Sequence, residues 1–329
     1  MKRIILFCLA ICTTFLLKAQ DFHLSQYDAA PLNVNAGLTG VFEGDYRLHA
    51  HYRTQWSSVA TKPFTTGLFS FDANLKNWGI GLQLANFRAG TGGYNVASVL
   101  PSAAYKISLG KKKNHFITIG AQVGFFQKSI NASSLEFANQ YVKTNGGEFN
   151  TTLSNNENIG SNGIFKLDIN AGFMYYFAKQ GVRVNPFFGA NFFHLNKPTE
   201  SFLSESNKLA IRPQAVAGAR VLINPKIAIT PKLYYQYQDE ASEFTTAVTG
   251  QFFLETYDIY LLATAIFRNK DAAIFEFGAK YANFIGRISY DFNTSSLNNV
   301  SSGRGGTELS LTYIFSKTNP NPIPTCPKI

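Results

Sequence analysis

The sequence predicts an all-β protein: a transmembrane antiparallel up-and-down β-barrel of about fourteen strands behind a cleaved signal peptide. Three observations carry that prediction. Strand after strand alternates apolar and polar residues: Phe165, Leu167, Ile169, Ala171, Phe173, Tyr175 and Phe177 fall on one face, while Lys166, Asp168, Asn170, Gly172 and Tyr176 fall on the other. A period of two marks a strand, whose successive side chains point to opposite sides of the sheet. Charged residues make up only 15% of the chain and aromatics another 15%, against a usual charged share of about a quarter. Beyond the leader, the longest apolar run, Ile259 to Phe267, suits a tilted transmembrane strand and is too short for a spanning helix. Lipid cannot satisfy exposed backbone groups, so a lipid-facing chain without spanning helices must close into a barrel.

The chain opens on Lys2 and Arg3, an apolar stretch from Ile4 to Leu17 and a small-residue site at Leu17-Lys18-Ala19. That is the plan of an export signal over residues 1–19, too short to serve as an uncleaved anchor. Ile11 before Cys12 argues against a lipoprotein, which needs a small residue there. Two of the three cysteines lie in the leader, so Cys326 has no intramolecular disulfide partner. Lys2, Arg3 and Lys18 also lie there, and their loss takes the net charge from +10 to +7. The dense run Lys111-Lys112-Lys113 reads as a solvated turn, so nucleic acid is not an expected partner.

A lead-in over residues 20–44, periplasmic or lumenal, precedes the barrel of residues 45–316. Pro31, Gly37 and Gly40 shape an irregular segment there, open to reading as a plug, a partner contact or a plain lead-in. Strands are expected near 45–54, 64–74, 77–87, 95–108, 115–127, 164–178, 183–195, 209–223, 226–238, 243–254, 257–268, 272–281, 283–293 and 307–315. Connections after even-numbered strands are short, as at Leu75-Lys76 and Asn224-Pro225, and the long ones, 128–163, 196–208 and 294–306, follow odd-numbered strands. Short turns on one side and long loops on the other describe a barrel threaded from the periplasm, with both termini on that side. The stretch 317–329 holds four prolines and reads as an extended tail.

The alternation also sets which residues line the lumen. Tyr46, Leu48, Ala50 and Tyr52 face outward, and Arg47, His49, His51 and Arg53 inward. Arg212, Gln214 and Arg220 share an inner face, as do Lys232, Gln236 and Gln238, then Glu276 and Lys280, then Arg287, Ser289 and Asp291. The inner wall is polar and net basic. Outward Tyr46, Tyr52, Tyr175, Phe177, Tyr235, Tyr237, Tyr290 and Phe292 suit interfacial girdles against outer-membrane lipid. This phase predicts that Ala171→Arg impairs assembly while Asn170→Arg is tolerated. No blade-length repeat supports a propeller, and a soluble sandwich would leave its many aromatic faces exposed.

Chemistry-bearing motifs are missing: no G-x-S-x-G, P-loop, H-E-x-x-H or paired C-x-x-C occurs. His49 and His51 share a face, but Arg47 and Arg53 beside them repel a metal cation. His194 has no nucleophile at a telling spacing. Arg88 to Gly93 lacks the helix of a phosphate loop and reads as a glycine-rich hairpin. Neither enzyme activity nor a cofactor is expected. The loop 128–163 is long enough to be functional, covering the mouth or entering the lumen, or else a plain surface loop.

Several local sequences, in order, resemble the PorP/SprF family, outer-membrane proteins associated with type IX secretion and gliding motility. They are Ser25-Gln26-Tyr27; Pro31-Leu32-Asn33-Val34-Asn35-Ala36-Gly37-Leu38-Thr39-Gly40, with Ala36-Gly37 where the family has Pro-Ala; Arg53-Thr54-Gln55-Trp56; Pro63-Phe64-Thr65-Thr66; and Ser70-Phe71-Asp72. Asn86, Ala89-Gly90 and Gly92-Gly93 follow, then His194-Leu195-Asn196-Lys197-Pro198 with Ser201-Phe202. These matches run from residue 25 to about 202, and the second half resembles the family only in strand pattern. The resemblance implies a barrel working with secretion machinery, in export or surface attachment of a cargo such as an adhesin. It marks Ser25, Gln26, Tyr27, Asn33, Asn35, Arg53, Gln55, Trp56, Gly90, Gly92, Gly93, His194, Asn196 and Pro198 as motif or partner-contact candidates. The basic lumen supports a different reading, a porin-like channel for small anionic solutes. Fourteen strands lie between the eight that side chains fill and the sixteen of open porins, which leaves openness undecided.

Overall fold

Antiparallel strands joined by hairpins run once around the molecule and meet themselves. In the computed structural model these are β1 (Tyr46–Gln55), β2 (Phe64–Leu75), β3 (Trp78–Ala89), β4 (Tyr94–Leu109) and β5 (His115–Ser129), followed by a two-stranded hairpin in the long loop, β6 (Tyr141–Val142) and β7 (Glu148–Phe149). The wall continues through β8 (Gly163–Phe177), β9 (Val184–Phe193), β10 (Arg212–Asn224), β11 (Ile227–Gln238), β12 (Ala241–Leu254), β13 (Ile259–Arg268), β14 (Ala272–Tyr281), β15 (Phe284–Asn293) and β16 (Arg304–Phe315). β16 closes on β1 from Tyr46↔Phe315 to Gln55↔Gly306, giving a sealed barrel of fourteen strands. The residues described are 21–57, 62–90, 92–111, 114–131, 135–143, 147–154, 163–179, 181–202, 207–295, 301 and 303–316. The leader, the tail 317–329 and Cys326 lie outside them.

The predicted strands are all present, with the starts of β10 and β16 moved by three residues and every other end by two or fewer. β9 stops at Phe193 because His194 and Lys197 adopt φ of 58° and 43°, left-handed values that break a strand into a turn. The predicted phase holds throughout. Phe165, Phe277 and Ile288 are among the exposed apolar residues on the outer face, while Arg47, His49, His51 and Arg53 are buried within. The tolerance expected for Asn170→Arg is corrected, however. Asn170 faces inward but is fully buried, donating to Gln122 and accepting the His194 amide at 2.9 Å, so no room exists for a guanidinium. A usable pair lies on β12, where Val248 is exposed outward and Gln251 points into a half-open part of the lumen. Val248→Arg should cost about 2–4 kcal/mol of barrel stability as an arginine in the lipid midplane. Gln251→Arg should leave the heat-modified gel shift of the folded barrel unchanged.

A soluble protein packs its core between layers, but here the lumen holds it. Residues 21–43 enter the barrel as a 3-10 turn (Tyr27–Ala29), one short α-helical turn (Pro31–Val34) begun by proline, and a second 3-10 turn (Ala36–Leu38). Tyr27, Val34, Leu38 and Val41 pack there against the inward Phe116, Met174, Tyr176, Phe187, Val216 and Tyr234. The lead-in is therefore lumenal. Inward glycines make space for its backbone: a Cβ on Gly79 would sit 2.0 Å from the Thr39 carbonyl oxygen, and one on Gly120 2.2 Å from that of Ala36. Gly40, at φ 72°, turns the segment where it passes Gly79.

The segment also spans the barrel from end to end. Asp21 lies beside His194, Arg212 and Gln238, on the side of the long loops. Gly40 to Asp45 lie at the opposite end, where the Asp45 amide donates to the Phe315 carbonyl at 2.8 Å. The expectation that both termini leave on the short-turn side falls on residues outside those described, but Asp21, the first described residue, lies at the long-loop mouth rather than the short-turn one.

Candidate functional site

The lumenal segment is held by polar clasps, and the first is built on Ser25 and Gln26. Their consecutive backbone amides each donate to one oxygen of the same carboxylate, Glu308 Oε1 at 2.6 Å and Oε2 at 2.8 Å. Gln26 spends its side chain completely: Nε2 donates to Ser289 Oγ and the Glu308 carbonyl, both at 3.1 Å, and Oε1 accepts from Ser310. Ser25 Oγ donates to Asp291 at 2.6 Å and accepts from Arg53 and Arg268. Arg53 pairs with Glu308 and with Asp291, and its Nε donates to Gln55. His51 Nε2 lies 2.9 Å from Glu308. Charge-assisted bonds of this kind are the stronger class, and here they share one buried carboxylate.

A second clasp lies deeper. Tyr27 stacks on Tyr234 with ring centroids 4.6 Å apart, and the next residue, Asp28, binds Lys232 through one oxygen and Arg287 at 3.1 Å through the other. Glu276 faces Arg287 at 3.5 Å and accepts from Thr264. Farther along, Asn35 Nδ2 donates to the carbonyls of Phe173 and Ala190, both at 3.0 Å, so one side chain ties β8 to β9 while its Oδ1 accepts the Gly37 amide. Asn33 Oδ1 accepts from Gln83 at 3.5 Å. Arg47 binds Asp72 bidentately, and Asp72 also accepts the Gly40 amide.

The third clasp closes the long-loop end. His194 lies between two carboxylates, Nδ1 2.8 Å from Asp168 and Nε2 2.6 Å from Asp21. Arg212 faces Asp21 at 3.5 Å. For Asp21 burial opposes ionisation, but His194 and Arg212 hold the carboxyl well below the usual carboxylate range. Burial works against a charged His194 as well, yet the two carboxylates raise its pKa from 6.5 to about 9. A group raised in this way stabilises fully below its unfolded value of 6.5 and loses its contribution as pH climbs through about 9. Proteolytic protection of residues 21–24 should therefore hold at neutral pH and fall above about pH 9, and His194→Ala should remove that pH step.

The other motif residues gather around the same mouth. Asn196 Oδ1 accepts the Ile169 amide and its Nδ2 donates to the Leu167 carbonyl, completing the β8 edge beyond the end of β9. The Pro198 carbonyl accepts from Leu209. Gly90 and Gly93 take φ of 67° and 62° in the hairpin, and Leu135 of the long loop lies against Gly92, where a Cβ would meet it at 2.6 Å. That loop thus folds back over the β3–β4 hairpin. Trp56 packs on Phe64 at 4.5 Å.

The structure brings Ser25, Gln26 and Arg53 together, and it sets Tyr27, Asn33 and Asn35 farther along the same segment, all six in contact with the chain's own wall and all but the half-buried Asn33 buried. As partner contacts they are corrected to internal fasteners. The inward basic residues Arg47, Arg53, Arg212, Lys232 and Arg287 are matched by Asp72, Glu308, Asp291, Asp21 and Asp28. Arg220 and Lys280 face a half-open part of the lumen toward the short turns, Lys280 lying 5.8 Å over the Tyr260 ring. Sequence reasoning set Asp168 on the polar face of its strand without giving it a role, and it missed Asp21, Asp28 and Glu308. The inward phase of β16 would have found the last. Among the described residues no group of three or more His, Cys, Asp or Glu is placed to hold a metal. His49 and His51 direct ring nitrogens to Thr312 and Glu308 instead.

A model of the family described as type IX secretion system membrane protein PorP/SprF matches residues 16–313. The chain belongs to the PorP/SprF family. The match takes in both halves of the barrel, so kinship extends well beyond the motifs that end near residue 202. No curated protein matches the chain. Among solved structures, the Ralstonia pickettii toluene transporter TbuX shares 6% identity at a TM-score of 0.52, covering 87% of this chain and 94% of its own. A deletion mutant of the TodX monoaromatic hydrocarbon channel shares 12% at a TM-score of 0.51 with the same coverages. At such identities the likeness establishes the barrel fold alone.

Proposed function

We propose that this PorP/SprF barrel is a closed outer-membrane accessory of type IX secretion that works by binding proteins, with no catalytic role. Its short turns face the periplasm and the secretion machinery, and its long loops face the exterior and a secreted or surface-attached cargo such as an adhesin. The observation that carries the reading is the lumenal segment. It crosses the barrel from one mouth to the other, and its Asp21 and Asp28 take up Arg212, Lys232 and Arg287, while wall carboxylates take up Arg47 and Arg53. A wall so fastened serves as a rigid frame for loops and turns, as binding residues on a stable scaffold generally require. Family membership supports the secretion setting.

Two measurements on the native protein test this. Purification in mild detergent should bring down secretion components or one dominant surface protein, and planar bilayers should show little conductance. A partnerless barrel with a steady anion-selective current would replace this reading with a channel for small anionic solutes.

A further inference from the structure

The lumenal segment has two ends, and they lie at opposite mouths. At the short-turn end the Gly40 amide donates to Asp72, and Asp45 pairs with the last residues of β16. At the other end the Asp21 amide donates to Gln238 Oε1 at 3.0 Å, and its carboxylate is held by His194 and faced by Arg212. Phe22 stacks on Phe87, ring centroids 5.9 Å apart, near the end of β3. Gln238 ends β11, Arg212 opens β10, His194 follows β9 and Phe87 nearly ends β3, so all four mark the long-loop rim.

We propose that the start of the segment, at Asp21 and Phe22, opens on the cell exterior and belongs with the long loops to the surface that meets the secreted protein cargo. The inference rests on the orientation proposed above. The physical reason is closure. β1 pairs with β16 over ten residue pairs, and the wall shuts around a backbone lying against Gly79 and Gly120. Residue 21 cannot withdraw toward the short turns without giving up the clasps at Glu308, Asp28 and His194 together. The segment's end is therefore set when the barrel closes, on the side away from the short turns.

The test uses three single-cysteine proteins in a Cys326→Ser background, probed on whole cells with a bulky membrane-impermeant maleimide. One carries a Ser-Cys-Ser insert between Gln20 and Asp21, one Glu136→Cys in the long loop, and one Lys226→Cys in a short turn. The insert and Glu136→Cys should label on intact cells, and Lys226→Cys only after the outer membrane is permeabilised. An insert that labels only together with Lys226→Cys overturns the proposal while leaving the orientation intact. If Lys226→Cys labels on intact cells and Glu136→Cys does not, the orientation fails and the display fails with it. Should the insert prevent assembly, the double variant Phe22→Cys, Phe87→Cys decides: a cross-link by a short bis-maleimide, whose spacer covers the reach of the two stacked rings, supports the rim position in folded barrels, and its absence overturns it.

Discussion

Glu308→Ala is expected to release the N-terminal segment and to destabilise the barrel by about 3–5 kcal/mol, the usual cost of removing one partner from a buried ion pair. The effect should be large because one carboxylate serves four partners: the amides of Ser25 and Gln26, the Arg53 guanidinium and His51. Its removal leaves two amide donors without that acceptor and the buried Arg53 with Asp291 as its remaining carboxylate partner. Heat-modified mobility on gels reads the stability, and limited proteolysis of residues 21–43 reads the release. Glu308→Gln keeps two acceptor lone pairs without the charge and should fall between wild type and alanine. Equal stability of all three proteins would mean that the Ser25–Gln26 clasp does not hold the segment.

Gly120→Leu is expected to expel the segment from the lumen and, on the closed reading proposed above, to turn the barrel into a conducting one. Gly120 faces inward on β5, and a Cβ there would lie 2.2 Å from the Ala36 carbonyl oxygen and 2.7 Å from the Gly37 amide nitrogen. Both are backbone atoms fixed by neighbouring bonds: the Ala36 amide donates to Asn191, and the Gly37 carbonyl accepts from Thr118. A side chain cannot be fitted by a rotamer change, so the segment must lift or the wall must bow. Gly67→Leu is the control on the outward face of β2, since a Cβ at Gly67 meets nothing within 4 Å and lies away from the segment. Single-channel recordings should show a marked rise in conductance for Gly120→Leu and none for Gly67→Leu. A quiet Gly120→Leu bilayer with a fully folded barrel would show that the seal does not depend on this close approach.

Much of the wall was legible in the sequence because a strand's period is two and lipid enforces it. On β8 the outward Phe165, Leu167 and Phe173 and the inward Asp168 and Asn170 could be separated by counting alone. The same counting set Arg47, Arg53, Lys232 and Arg287 on the inner wall, and short turns alternating with long loops fixed the order of hairpins. Residues 21–43 obey no such rule. They lack periodicity, their helical turns are three or four residues long, and the contacts that fasten them to the wall are distant in the chain, such as Gln26 to Glu308 and Asn35 to Ala190. Only the closed barrel could show that Ser25-Gln26-Tyr27 is an internal fastener, that Asp28 answers Lys232, and that His194 meets Asp21 at the rim. Local alternation determines which face a strand residue takes. What fills a closed lumen is decided by matching a nonperiodic segment to many strands at once, and that match exists only in three dimensions.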